Sequence, residues 1–189
     1  MNVIILKNLL DTKLLDRWTQ AIEQIQSTEG RVYDQQSVGN EGSFNTQVRE
    51  CETRFVDAIK HPRLYRNIHC ELLPIFQAHN STFRVDLFGN LEIQHATYNV
   101  GGHFIEHTDM DLSANISNMT HRKISMVVMM SDPSEYEGGN LTLGSSKKII
   151  PNERGTIVLF SSFTAHAVEK VTKGQRKTLV VWAHGPPWR

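Results

Sequence analysis

The chain has 189 residues, with 20 basic side chains set against 20 acidic ones. That length suits one domain with a single substantial core, and the balanced charge excludes a global field that would draw nucleic acid or an anionic membrane. The apolar run after Met1 is too short for a signal peptide or membrane span, and the two cysteines, Cys51 and Cys70, lack Cys-x-x-Cys spacing. They read as reduced thiols of a cytoplasmic protein, with a disulfide between them left open.

Residues 3–6 form a short β-like run. Asp11 is placed to cap a helix carrying Leu14, Leu15, Trp18, Ile22 and Ile25 at helical spacing. Residues 27–50 are polar and interrupted by Gly30, Gly39 and Gly42, and read as a long loop that admits a strand. Pro62 suits the first turn of a second helix with Leu64, Ile68, Leu72 and Ile75 on one apolar face. Pro74 is expected to end or kink that helix.

From Phe83 onward the pattern changes to short β-rich runs at 91–98, 104–107, 123–130, 140–143, 148–150, 155–160, 166–171 and 176–184. So many short strands with turn signals predict a mostly β fold with N-terminal helices. Its core would be a double-stranded β-helix, a jelly-roll or cupin-like barrel, over 83–189. Residues 1–82 would supply helical support and flanking loops within the same domain. An open α+β sheet is the alternative.

Two separated segments carry the chemistry. One runs from Tyr98 through Gly101 and Gly102 to His107 and Asp109; the other places Arg176 ten residues after His166. Two imidazoles and one carboxylate on one face of a metal leave positions open, as non-haem Fe(II) oxygenases need for a chelating co-substrate and O2. A planar guanidinium suits a two-bonded grip on a carboxylate. A His-x-Asp triplet alone is weak, and His61, His69, His79, His95, His103, His121 and His184 read as surface or satisfied polar residues. His107 and His166 differ because each stands at a strand end, where residues far apart in sequence converge across a barrel. Asp111 is a competing carboxylate whose spacing from His107 does not fit, and it is assigned to the surface.

Over roughly residues 91–184 the chain resembles the 2-oxoglutarate- and Fe(II)-dependent dioxygenases, in their prolyl 4-hydroxylase-like branch with the bacterial PKHD-type hydroxylases. The matching residues are Gln94 to Tyr98, Gly101, the His107/Asp109 pair, Arg122 to Asp132, Glu137-Gly-Gly139, Gly155 to Phe160, His166, Gly174, Arg176 and Trp182. The strand–helix opening at 3–26 is also typical of that branch. The resemblance implies His107, Asp109 and His166 as iron ligands. It implies Arg176 and Tyr98 as partners of the distal carboxylate of 2-oxoglutarate.

Strand parity adds Thr178 to the same face as Arg176, and puts Lys177 on the other. Fe(II), 2-oxoglutarate and O2 would be the cofactor and co-substrates, with ascorbate an optional addition. The implied reaction is hydroxylation of an organic substrate with succinate and CO2 as co-products. That prime substrate is a peptide, a prolyl residue among its candidates, or a small molecule; neither nucleic acid nor membrane is implied, and oligomeric state is left open.

Two departures bear on the substrate. The animal collagen enzymes of this family use lysine where this chain has Arg176, and tyrosine where it has Met129, so prolyl specificity stays open. Phe104, Val127, Leu141 and Phe160 read as barrel core. The polar segments 30–46 and 110–121 read as candidate covers for the mouth. Two other classes remain alternatives: a different mononuclear-metal enzyme on a cupin-like barrel, and a non-catalytic metal- or ligand-binding barrel.

Overall fold

In the computed structural model, which describes residues 2–31, 43–110 and 120–188, strand β1 (Val3–Leu6) leads into helix α1 (Thr12–Ile22). Asp11 caps that helix by accepting the Lys13 amide at 3.0 Å. Leu15, Trp18 and Ile22 are its buried residues; the helix stops there, and Ile25 packs against the same core from beyond its end.

Three short strands follow where the sequence allowed one within 27–50: β2 (Thr28–Glu29), β3 (Arg49–Glu50) and, just beyond that stretch, β4 (Glu52–Phe55). Of the two polar segments expected to flank the mouth, 32–42 and 111–119, with Asp111, lie outside the described residues.

Helix α2 (Pro62–Phe83) begins on its proline as expected, yet runs unbroken through Pro74. A mid-helix proline costs about 3 kcal/mol through a lost hydrogen bond and a ring clash. Ile68 and Leu72 before it, and Ile75 and Phe76 after it, are buried in one core cluster. Burial at about 1.5–3 kcal/mol per large side chain outweighs the break.

The strands that follow are β5 (Leu91–Tyr98), β6 (His103–His107), β7 (His121–Met129), β8 (Tyr136–Gly138), β9 (Leu141–Leu143), β10 (Lys148–Ile149), β11 (Ile157–Ser161), β12 (His166–Val168), β13 (Val171–Gly174) and β14 (Arg176–Gly185). The single run expected at 166–171 is thus two strands, and β8 was not legible as one. Among the described residues the strands make a seven-stranded sheet in the order β1-β11-β7-β14-β5-β4-β2. Facing it is a five-stranded sheet, β10-β9-β12-β6-β3, and β13 pairs with β8 as a ribbon. This is a jelly roll with its helices on one side, as expected.

Alternation along the strands divides the interior in two. Leu179, Val181 and Ala183 of β14, with Ile124, Met126 and Val128 of β7, join the helix-side core. The residues between them, Arg176, Thr178, Val180 and Trp182, face a cavity of about 670 Å³ between the two large sheets. Among the described residues no helix is long and apolar enough to cross a membrane, and both cysteines are free thiols.

Candidate metal centre

His107 is the last residue of β6 and His166 the first of β12, and antiparallel pairing sets them directly opposite each other. Asp109 follows two residues after His107, where its amide and that of Met110 both donate to the Ser162 carbonyl, at 3.0 and 3.1 Å. The turn is thereby anchored to the end of β11, and the Asp109 carboxylate is brought between the imidazoles. His166 Nε2 lies 3.5 Å from Asp109 Oδ2, and His107 Nε2 lies 3.8 Å from Asp109 Oδ1. One ligand atom from each of the three falls within 4.8 Å of the others.

The two histidines are oriented alike. Each Nδ1 sits 2.9 Å from the backbone carbonyl two residues earlier, Ile105 for His107 and Thr164 for His166. A carbonyl can only accept, so each Nδ1 carries the proton and each Nε2 presents a lone pair toward the carboxylate. Burial, with the His166 ring beside it, pushes the His107 imidazole down to about 3, and it is neutral at physiological pH. Burial alone would raise the Asp109 carboxyl. Its interactions with His166, Arg122 and His107 and the hydrogen bond from the Ser125 hydroxyl hold it below the ordinary carboxylate range instead. Two imidazoles held by their Nδ1 edges and one carboxylate are the donor set a divalent transition metal takes.

Ser125 on β7 donates to Asp109 Oδ2 at 2.6 Å and lies 3.0 Å from Ser162 Oγ. Sequence reasoning missed this pair. The one signal was a serine on the interior-facing parity of β7, shared with the apolar Val127 and Met129.

At the other end of the cavity Arg176 is only 2% exposed. It stands opposite Tyr98 in the β14–β5 pairing, with its guanidinium carbon 5.3 Å from the Tyr98 ring. Its Nη2 faces Met129 Sδ at 3.8 Å, and its Nη1 has no hydrogen-bond partner among the described residues. An unpaired buried guanidinium nitrogen is costly and marks a place for an acceptor. Burial pushes the Tyr98 phenol up to about 12, so its hydroxyl is a donor.

Thr178, also buried, lines the cavity one step along the strand. Gly139 makes room for the arginine stem: at φ +63° it has no side chain, and a Cβ would sit 2.9 Å from Arg176 Cδ. Lys177 points to the other face and pairs with Glu23 on the helix side at 2.6 Å.

Val127, Leu141 and Phe160 belong to the buried core as expected, with Phe104 packed against it, and Phe104, Val127 and Leu141 also line the cavity. Phe104 reaches the cavity from β6, where its ring lies against that of His107 and the β12–β6 register shifts between the two residues. Arg49 on β3 also lines it, as do Glu92, Arg122 and Trp182 at the far end. There Arg122 grips Glu92 through two hydrogen bonds, at 3.0 and 2.5 Å, and lies over Trp182 at 3.7 Å. His184 adds a contact to Glu92 at 3.1 Å, so it belongs to this polar cluster. His95 departs from the surface-or-satisfied reading. It is fully buried on the helix side of β5, and its Nε2 has no partner among the described residues.

Comparison with known proteins finds similarity of sequence and of fold. The family model described as 2OG-Fe(II) oxygenase superfamily matches residues 93–184, the span that holds every residue of the cluster and of the Arg176 end. A PKHD-type hydroxylase of Thermosynechococcus vestitus is 32% identical over 87 residues, 45% of this chain and only 39% of that relative's length. One from Klebsiella pneumoniae is 25% identical over 181 residues, 93% of this chain and 75% of the relative. The fold resembles that of a viral collagen prolyl hydroxylase from Paramecium bursaria Chlorella virus-1, solved with 2-oxoglutarate. The TM-score is 0.72 at 17% identity, over 98% of this chain and 97% of that one.

Proposed function

We propose that this chain, whose residues 93–184 match the family model of the 2OG-Fe(II) oxygenase superfamily, is an Fe(II)- and 2-oxoglutarate-dependent hydroxylase acting on an organic substrate. One observation carries the reading: the same cavity holds the His107/Asp109/His166 cluster and a buried arginine with an unpartnered nitrogen. A hydrolase or isomerase on the same barrel would use the three ligands but would have no task for Arg176.

The residues fit the implied groups. His107 Nε2, His166 Nε2 and an Asp109 oxygen converge closely enough for one ion to reach all three. Arg176, with Tyr98 and Thr178 beside it, would bind the distal carboxylate of 2-oxoglutarate through charge-assisted hydrogen bonds. When bound, iron and 2-oxoglutarate supply the oxidation: O2 and 2-oxoglutarate become succinate and CO2, and a substrate C–H becomes C–OH.

The protein's share is placement and exclusion of water. Ser125 holds Asp109 in one orientation, the Ile105 and Thr164 carbonyls hold the two imidazoles, and Arg176 fixes the co-substrate's far end. Val127, Leu141 and Phe104 wall the space between with apolar surface.

For the prime substrate we propose a peptide segment, a prolyl residue being the first to try. Support comes from the collagen prolyl hydroxylase of like fold. The cavity, of about 670 Å³, is also lined by Trp182, Arg122 and Glu92 in addition to the residues of the metal cluster and of the Arg176 end.

The test is anaerobic addition of Fe(II) and then 2-oxoglutarate, following the visible absorption of the metal chelate, then succinate release in air with and without proline-containing peptides. A chelate band and peptide-stimulated succinate are expected. No band at saturating metal and co-substrate would refute the oxygenase reading. Stimulation by a free amino acid or metabolite, and by no peptide, would refute the peptide reading alone.

A further inference from the structure

Arg49 stands on β3, the edge strand of the five-stranded sheet, directly across from Phe104 on β6. Its guanidinium carbon is 4.7 Å from the Phe104 ring centroid. The Phe104 ring in turn lies flat on the His107 imidazole, with centroids 3.4 Å apart and 16° between the planes. One column therefore runs guanidinium, phenyl, imidazole, and its last member is a proposed metal ligand.

The guanidinium is held in that column from three sides. Its Nε donates to Cys51 Sγ at 3.0 Å, its Nη1 to the Arg31 carbonyl at 3.2 Å and its Nη2 to Gln94 Oε1 at 2.8 Å. Gln94 belongs to β5 in the opposite sheet, so the arginine ties the two sheets together beside the cavity. Gly30 leaves room for it, since a Cβ there would sit 2.7 Å from Arg49 Nε and 2.6 Å from Cys51 Sγ.

We infer that Arg49, acting through Phe104, is a positioning residue that sets the ring plane of His107 for metal binding; the inference rests on the metal reading above. The Ile105 carbonyl grips one edge of the His107 ring and sets its tautomer, but a single edge contact leaves the ring free to tilt about that bond. A flat partner on its face removes the tilt. His107 has the greater need of it, because its side chain is 19% exposed against 7% for His166.

A planar guanidinium can stack on a ring and hold three hydrogen bonds at once, which an ammonium cannot. Arginine is thus required at position 49 for its shape as well as its charge. Neither residue touches the reacting atoms on this reading; both act on the ligand.

The experiment titrates Co(II) anaerobically into the full chain and its variants Arg49→Lys, Phe104→Leu and Phe104→Tyr, recording affinity, the visible Co(II) spectrum and thermal melting. Arg49→Lys and Phe104→Leu should each weaken Co(II) about tenfold or more, in the range typical of groups that orient a metal ligand, and should change the spectrum. Phe104→Tyr, which keeps the ring, should stay near wild type in both. If the wild type binds Co(II) and the first two variants match its affinity and spectrum, the positioning role is overturned and the hydroxylase reading stands. If the wild type binds no Co(II), both fall. Should Arg49→Lys fail to melt cooperatively, the Phe104 pair decides alone.

Discussion

His166 is the direct cross-strand partner of His107, and their ring centroids lie 4.2 Å apart across the β12–β6 pairing. That one register brings together imidazoles that are far apart in the chain, and Asp109 completes the cluster two residues further on. A shift of the register by one residue would turn one ring to the opposite face of the sheet.

His107→Ala, His166→Ala and Asp109→Ala should each abolish stoichiometric Fe(II) or Mn(II) binding in a calorimetric titration. Far-UV circular dichroism should still show the folded β-rich chain. Near-normal metal affinity in His166→Ala would remove it from the ligand set.

Arg176→Ala should raise the 2-oxoglutarate concentration needed for half-maximal turnover by roughly a hundredfold, from about 2–3 kcal/mol of lost charge-assisted bonding. Lys177→Ala loses only a partly exposed ion pair to Glu23 and should leave that requirement nearly unchanged. Equal sensitivity at the two positions would contradict the strand parity that turns one inward and the other outward.

Ser125→Ala removes the 2.6 Å hydrogen bond to Asp109 Oδ2. Metal affinity should fall by about tenfold, while binding of 2-oxoglutarate to the metal-saturated protein changes little. Unchanged metal affinity would show that the turn anchored on the Ser162 carbonyl orients Asp109 unaided.

His95 gives stability a pH dependence. Burial, with the Arg54 and Lys177 charges adding to it, pushes its imidazole down to about 4 from an ordinary 6.5. Below pH 6.5 the unfolded chain takes up a proton that the folded one refuses, so stability falls as pH drops from about 6.5 toward 4. The contribution is on the order of 3 kcal/mol across that window. Thermal melts at pH 7 and pH 5 should show a smaller difference for His95→Phe than for the wild type. Equal differences would mean that His95 takes up its proton in the folded state.

Much of the architecture was legible in the chain because local patterns carry it. Asp11 before a 3.6-residue apolar repeat, Pro62 at a helix start and the alternation along β14 are all decided within a few residues. The family motifs likewise marked His107, Asp109, His166 and Arg176, since metal chemistry restricts which side chains can serve. Pro74 does not end α2, because the core that Ile75 and Phe76 join offsets a penalty that is local. Strands β2, β3 and β4 were not placed, beyond one strand allowed within 27–50, because such short, polar strands owe their existence to the neighbours they pair with.

Only the tertiary structure decided which residues surround the cluster. Ser125, Arg49 and Phe104 reach Asp109 and His107 through sheet register, and register is set by the burial of whole faces, which no single segment encodes. The unpaired nitrogen of Arg176 belongs to the same category, because burial is a property of the assembled barrel.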